Sequence, residues 1–145
     1  MSSRTQNLAN HARWLPIYHF LASPVTAIWA LHSIWHAIQD PVPAHWFEAL
    51  VAVAISAGIV SARIMAITVQ NRVIRLEMRL RLKELLGGDL LARSKALTVR
   101  QLIALRFASD AELPALVERT LNGEFAKPRD IKRAIKDWQP DWLRA

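Results

Sequence analysis

The stretch WFEALVAVAISAGIVSARIMAITV, residues 46–69, decides the fold of this 145-residue chain. Glu48 and Arg63 are its only charged residues, and each lies toward one end. A helix of this length extends about 36 Å, more than the ~30 Å hydrocarbon core of a bilayer. The sequence therefore predicts a transmembrane helix over 46–69, with the long Arg63 side chain reaching the nearby interface.

A second apolar stretch, residues 14–38, precedes this one and contains no Asp, Glu, Lys or Arg. It is also long enough to cross a bilayer, and we expect its internal Pro24 to kink the helix. The segment 39–45 between the two stretches holds two prolines in three residues, which force a tight reversal. The chain is thus predicted to form a transmembrane helical hairpin.

The alternative for these stretches is a soluble protein with two buried helices. A chain of 145 residues is too short to surround two uncharged helices of this length. Aromatic residues also lie where membrane interfaces are expected, with Trp14 and Tyr18 at the inner one and Trp35 and Trp46 at the outer one. We therefore expect an integral membrane protein.

The net charge of +7 arises entirely downstream of residue 62, since the charges before it cancel. Both outer flanks of the hairpin carry basic residues, and the connecting loop has no Lys or Arg. The positive-inside rule then places segment 1–13 and the C-terminal tail in the cytoplasm. The chain has no cysteine, which excludes disulfides, thiolate metal sites and cysteine nucleophiles.

Residues 70–86, QNRVIRLEMRLRLKELL, alternate apolar and charged residues, which is formally a strand pattern. The residue types instead favour a juxtamembrane helix that continues the second span and ends at Gly87 and Gly88. One apolar stripe of this helix is predicted to comprise Val69, Val73, Leu76 and Leu80. The basic residues expected to contact anionic headgroups or a protein partner are Arg72, Arg75, Arg79 and Lys83. The alternative is a solvated face that only fixes topology.

The remaining tail, 87–145, is predicted to be a small cytoplasmic helical unit. Capping boxes at Thr98–Gln101 and Ser109–Glu112 would open two helices, and Pro128 would begin a third that runs to Trp138. The expected core comprises Leu102, Leu105, Leu113, Leu116, Val117, Leu121, Ile131, Ile135 and Trp138. A basic face comprises Lys127, Arg129, Lys132, Arg133 and Lys136, of which Lys132, Arg133 and Lys136 are assigned to headgroups or a partner. A helix-turn-helix would also place basic residues here, but its spacing is poorly matched, so nucleic acid is not the expected partner.

Small residues recur every four positions on the second span, at Ala54, Gly58, Ala62 and Ala66. Such a stripe lets another backbone approach closely. It could pack against the first span, or it could associate with a second copy or with a larger membrane complex.

Three histidines, His32, His36 and His45, are expected near the outer end of the hairpin. His32 and His36 share one helix face, so together with His45 they could bind a transition metal or a haem iron. The alternative is interfacial histidines that bond to headgroups, water and one another. At the inner end, His19 and Arg63 are predicted to form a buried polar pair, which would lower the cost of a membrane arginine.

Four motifs resemble an uncharacterised family of bacterial membrane proteins, a domain of unknown function. They are QNLANHAR at 6–13, YHF at 18–20, QNRVIRLE at 70–77 and QLIALRFASD at 101–110. The resemblance implies a two-span bacterial membrane protein with a cytoplasmic helical tail, and it carries no activity or cofactor.

No nucleophile with a base, phosphate loop or pair of catalytic carboxylates can be placed on the sequence. We therefore expect a non-enzymatic accessory or scaffold subunit of the cytoplasmic membrane, without a cofactor, that acts through lipid or protein partners. The alternative is a histidine-ligated metal- or haem-binding membrane protein.

Overall fold

The computed structural model describes residues 7–8 and 15–141 of the chain. Within these residues the protein is all-helical, as predicted, with six α-helices and no strand. A π-helical segment, Ile17–Ala22, leads into α1, and the helices are α1 (Ser23–Gln39), α2 (Pro43–Leu85), α3 (Gly88–Ser94), α4 (Val99–Leu105), α5 (Leu113–Leu121) and α6 (Pro128–Ala134). The predicted N-terminal segment 1–13, including His11, and the predicted start of the first span at Trp14 lie outside the described residues, apart from Asn7 and Leu8.

The chain divides into two compact units, and α2 contributes residues to both. We call residues 15–68 the hairpin unit and residues 69–141 the helical unit. Within the hairpin unit, contacts pair Ser33 with Glu48 and the carbonyl of Thr26 with Ser56. The contact earlier in α1 is made with the residue later in α2, so α1 and the first half of α2 are antiparallel.

The reversal between these helices is shorter than the predicted loop 39–45. The α1 helix ends at Gln39 and α2 begins at Pro43, so three residues connect them. Proline at the first position of a helix loses no intrahelical hydrogen bond, and its fixed φ suits the start of a helix. The two prolines of the loop together end α1 and begin α2.

The backbone before Pro24 is a π-helix of six residues. The Ser23 N–H donates to the Tyr18 carbonyl, five residues back, instead of four. Pro24 has no N–H to donate, and local π-helical hydrogen bonding is one way in which a helix accommodates such a proline. The proline signal in the sequence thus corresponds to a wider helical turn immediately before it.

Of the helices described, one is long and apolar enough to cross a membrane, α2. Its most apolar 18-residue window has a mean hydropathy of 2.2, and 6% of that window is buried within the protein. The predicted second span 46–69 and residues 70–85 of the predicted juxtamembrane helix 70–86 are parts of this single 43-residue helix, which ends at Leu85. The strand pattern in 70–86 is therefore overruled, as predicted.

The helical unit has a compact apolar core built on the second half of α2. Ile74, Met78 and Leu82 are at most 5% exposed and pack with residues of the following helices. The predicted apolar stripe Val69, Val73, Leu76 and Leu80 is not part of this core, because all four side chains are exposed. The helix has two apolar stripes, and the tail packs on the other one.

The predicted core of the tail is confirmed. Leu102, Leu105, Leu113, Leu116, Val117, Ile131 and Ile135 are buried, and Leu121 and Trp138 pack against them from partly buried positions. The largest fully buried side chain is Phe107, which lies 5.0 Å from the Trp138 ring, centroid to centroid. Phe107 follows α4 and was not among the predicted core residues.

The tail helices begin largely as predicted but end sooner. The Thr98–Gln101 capping box is present, and Pro128 begins α6. The predicted extension of α6 to Trp138 is wrong, because the helix ends at Ala134. Residues 135–139 instead run beside the loop after α4, where the Gln139 N–H donates to the Phe107 carbonyl at 2.7 Å.

Candidate functional site

The hairpin unit brings the three predicted histidines together beside the turn. The His36 ring lies 4.1 Å from the His45 ring and 6.2 Å from the His32 ring, measured between centroids. His32 and His36 stack because they are one helical turn apart on α1. His45 reaches them from the first turn of α2.

His45 is also tied to the turn itself. Its Nδ1 lies 2.8 Å from the Asp40 carbonyl oxygen and 3.5 Å from the Asp40 carboxylate. One of its two ring nitrogens is therefore engaged by the backbone, which leaves Nε2 for any other ligand. This contact fixes the ring at the end of the hairpin.

The carboxylate of Glu48 lies one turn further along α2 and bonds to α1. Its Oε1 accepts from the Ser33 hydroxyl at 3.2 Å and from the Trp29 indole N–H at 3.4 Å. Ser33 is 2% exposed, so its hydroxyl is satisfied by this bond within the helix interface. The sequence places Glu48 toward one end of the second span but does not indicate these partners.

No group of three or more His, Asp or Glu side chains in the described part of the chain has an arrangement suited to a metal ion. The histidine rings contact one another edge to face and by stacking, without converging on a common point. His32, His36 and His45, predicted from sequence to lie together, are thus neighbours in the structure. Their contacts are ring packing and hydrogen bonds.

At the other end of the hairpin unit, Arg63 lies over an aromatic ring. Its guanidinium carbon is 5.8 Å from the centroid of Tyr18, a cation–π distance. His19, the predicted partner of Arg63, places its Nδ1 3.0 Å from the Leu15 carbonyl oxygen. The sequence predicts only that Tyr18 lies at a membrane interface and does not indicate its contact with Arg63.

The small-residue stripe does not face α1. Ala54, Gly58, Ala62 and Ala66 are all exposed, and a Cβ added at Gly58 would meet nothing within 4 Å. The residues buried between α1 and α2 are other small ones, Ala30, Ser33, Ala37, Ala49 and Ala52. The interpretation that the stripe packs on the first span is therefore wrong, while association with another chain stays a prediction.

The basic residues assigned to headgroups or a partner divide into two groups. Arg79 donates to the carbonyls of Ser94 at 2.9 Å and Lys95 at 3.0 Å, where α3 ends. Lys132 places its ammonium 5.2 Å from the Phe107 ring centroid. These two side chains hold the helical unit together, while exposed positions are occupied by Arg72, Arg75, Lys83, Arg133 and Lys136.

The role predicted for one structural carboxylate, Glu112, was wrong. Glu112 was predicted to form a capping box with Ser109, and this is wrong: α5 begins without a side-chain cap. Glu112 instead accepts from the backbone N–H groups of Lys136 at 3.1 Å and Asp137 at 3.3 Å. A capping box joins two residues that are three positions apart. The partners of Glu112 are instead distant N–H groups that follow α6 and have no helical carbonyl within reach.

A family model matches residues 1–145, and its description is "Family of unknown function (DUF6526)". The chain belongs to this family. The resemblance to an uncharacterised family is thereby confirmed over the full length of the chain. No curated protein matches, and no solved structure matches.

Membership in DUF6526 supplies no activity, so the chemistry of the site must come from its geometry. Within the described residues, the polar contacts join side chains to backbone groups or to other side chains, as where Ser33 and Trp29 donate to Glu48. Arg106 illustrates this: it is 9% exposed, with its guanidinium over the Phe107 ring at 4.5 Å and its Nε 3.3 Å from the Asp141 carboxylate. These contacts organise the fold.

Proposed function

We propose that this chain is a two-span protein of the bacterial cytoplasmic membrane that acts as a non-enzymatic accessory or scaffold subunit. One observation carries the proposal, the contrast between the two halves of α2. In the hairpin unit the large apolar side chains are exposed, including Val53, Ile64 and Met65 at 43–67%. In the helical unit the same helix buries Ile74, Met78 and Leu82 almost completely, and the apolar side chains that it exposes lie among charged ones. Lipid is the solvent that suits the first half, and water suits the second.

The first span is supported by the same kind of surface. Six π-helical and 17 α-helical residues run without a break from Ile17 to Gln39. Large apolar side chains on this segment point away from the protein, with Ile17 75%, Leu31 68% and Trp35 57% exposed. The helices meet through alanine and serine, as membrane helices commonly do, because small residues permit close backbone approach.

The proposed role as an accessory subunit is supported by the hydrogen-bond partners and the exposure of the polar side chains. Arg79, Arg81 and Glu112 bind backbone groups that no helix satisfies. The remaining charged side chains of the helical unit are largely on its exposed surface. Such a unit offers a rigid charged surface to lipids or proteins.

The experiment that tests this proposal is topology mapping with reporter fusions, joined to membrane fractionation. Fusions at Ser3 and after the tail should both report the cytoplasm, and a fusion at Val42 should report the outside. The protein should stay with membranes after alkaline carbonate washing. A soluble chain, or a tail on the outer side, would contradict the proposal.

A histidine-ligated metal or haem is the second candidate function. The observation that favours it is the contact of His36 with both His32 and His45. The engagement of His45 Nδ1 by Asp40 favours a structural role instead. The two candidates differ in the metal content expected of the purified protein.

A further inference from the structure

The stripe of α2 that the tail leaves uncovered has the spacing of a coiled-coil seam. Val69, Val73, Leu76 and Leu80 are 48–61% exposed, and they are separated by four, three and four residues. This is the spacing of the a and d positions of a heptad, with Val73 and Leu80 at a and Val69 and Leu76 at d. Val73 at a and Leu76 at d match the preference of two-stranded parallel coiled coils for a β-branched residue at a and leucine at d, whereas Leu80 at a and Val69 at d do not.

The seam lies opposite the core of the helical unit. At about 100° per residue, Leu76 and Met78 point roughly 160° apart on the helix. Met78 is 3% exposed and packs in the core, whereas Leu76 is 61% exposed. The tail therefore packs on one side of α2, and the seam stays open for a partner on the other.

The charges beside the seam identify that partner. Arg72 occupies the g position on one flank, and Glu77 occupies the e position on the other; both side chains are exposed. In a parallel pair, a g residue faces the e residue five positions further along the other helix. Arg72 of each copy would then meet Glu77 of the other copy. In an antiparallel pair, g would face g and e would face e, bringing like charges together.

We propose that a second copy of this chain docks on this face, so that the two α2 helices form a short parallel coiled coil over residues 69–80, which ends before the charged Lys83 at the next d position. The Arg72–Glu77 pair is formed twice by symmetry. Arg79, at the next g position, forms no such ion pair between the copies, because its guanidinium is held by the Ser94 and Lys95 carbonyls of its own chain.

An anionic lipid surface fits this face less well than a second copy does. The e flank of the seam carries Glu77 and Glu84, which such a surface would repel. A lipid-facing amphipathic helix has basic residues on both flanks of its apolar stripe. Here one flank is acidic and one is basic, which is the pattern that a parallel copy of the same helix complements.

The seam is only about two heptads long, and coiled coils of this length are weak in free solution. The proposal therefore rests on the proposed membrane location, because two copies held in one bilayer have the same orientation and a high effective concentration. In the sequence, the spacing of three and four residues also continues upstream through Ala66 and Ala62. Membrane anchoring thus favours the parallel arrangement that the charges also favour.

The first test is cysteine crosslinking in native membranes, which the absence of native cysteine makes direct. Single cysteines are placed at exposed positions only, so that the core is untouched: 72, 73, 75, 76, 77, 80 and 83. Disulfide formation should be greatest at 73, 76 and 80 and least at 75, on the far side of the helix. Uniform crosslinking, or none at the seam, would overturn the proposal.

The second test is charge exchange, read by crosslinking at Leu76→Cys. Arg72→Glu alone, or Glu77→Arg alone, should lower the crosslinked fraction about fivefold, since each of the two attractive pairs in the dimer becomes repulsive. The double variant Arg72→Glu with Glu77→Arg should restore it. Arg75→Glu, with the same change in charge at an exposed position outside the seam, is the matched control and should have no effect.

The outcomes separate this inference from the proposed function. If Arg72→Glu and Arg75→Glu weaken membrane-associated crosslinking equally, the helix binds headgroups through general basic charge, and the coiled coil is wrong. If the protein fractionates with membranes but crosslinks without the pattern of 73, 76 and 80, only the coiled coil fails. If the protein is not in membranes, the proposed function fails, whatever the crosslinking pattern.

Discussion

The Arg81 Nε donates to Asp110 Oδ1 at 2.7 Å, and the same guanidinium donates to the carbonyls of Arg106 at 3.2 Å and Ala108 at 2.7 Å. One side chain of α2 thereby binds three acceptors in the loop that follows α4. The last carbonyls of a helix have no intrahelical partner, and a cation placed beside them is favourable. Arg81 therefore fixes where α4 and its following loop lie on α2.

Replacing this guanidinium should destabilise the helical unit. Arg81→Met keeps much of the aliphatic chain but removes all three hydrogen bonds, which should cost about 2 kcal/mol. Asp110→Asn removes only an ion pair whose carboxylate is 60% exposed, and should cost about 0.5 kcal/mol. The measurement is the urea or thermal midpoint of the purified protein in detergent.

Arg75→Met is the control for this pair of variants, because Arg75 lies on an exposed part of the same helix. Its midpoint should equal that of the wild type. If Arg81→Met were as stable as Arg75→Met, the three bonds would contribute nothing to folding.

The carboxylate of Glu112 should stabilise the chain segment that follows α6. Glu112→Ala leaves the N–H groups of Lys136 and Asp137 without their acceptor, which should cost about 1–2 kcal/mol. We expect faster proteolysis around residues 135–141 and a lower unfolding midpoint. Glu118→Ala, at an exposed position on α5, is the matched control and should leave both quantities unchanged.

The helices were predictable from sequence because their signals are local. Thr98 and Gln101 meet in the capping box that their spacing indicates, and Pro128 begins a helix as its position suggests. Helix caps depend on residues three positions apart, so no knowledge of tertiary packing is needed. The apolar runs were likewise evident from composition alone.

The packing of α2 was not predictable, because the decisive partners lie far away in sequence. Its C-terminal half carries two apolar stripes, one through Leu76 and one through Met78, and composition does not distinguish them. Arg79 and Arg81 bind carbonyls 15 to 27 residues further along the chain. Only the folded tail reveals which stripe is buried. The same holds for Glu112, whose partners are 24 and 25 residues away.

The small-residue stripe should be required for association between chains and dispensable within one chain. Gly58→Leu adds a side chain where a Cβ meets nothing within 4 Å, so the folded chain should tolerate it. Replacing a helical glycine by leucine also favours the helix itself, by somewhat under 1 kcal/mol. Crosslinking between copies or to a partner should nevertheless fall, since close backbone approach is lost.

Ala52→Leu provides the contrast, because Ala52 is fully buried. Overpacking there should destabilise the hairpin unit by about 1–3 kcal/mol. The two variants, each adding one leucine to the same helix, are compared by thermal midpoint in detergent and by crosslinking in membranes. If Gly58→Leu left crosslinking at the wild-type level, the stripe would face lipid only.

The last prediction concerns the histidine cluster, where the two candidate functions differ most. A metal site needs neutral imidazoles with free ring nitrogens aimed at one point. His45 Nδ1 is instead engaged by the Asp40 carbonyl, and the His36 ring packs against the rings on either side of it. We therefore expect the purified protein to be colourless and free of stoichiometric metal. His36→Ala should match the wild type in metal content and in its absorption spectrum.

His36→Ala should still lower the thermal midpoint slightly, because two ring contacts are lost. His19→Ala, whose imidazole lies at the other end of the hairpin unit, controls for the general loss of a histidine. A metal bound in stoichiometric amount, released on acidification and lost in His36→Ala but kept in His19→Ala, would replace the scaffold role with the metal-binding one. Metal analysis and a visible absorption spectrum of the three purified proteins decide between the two functions.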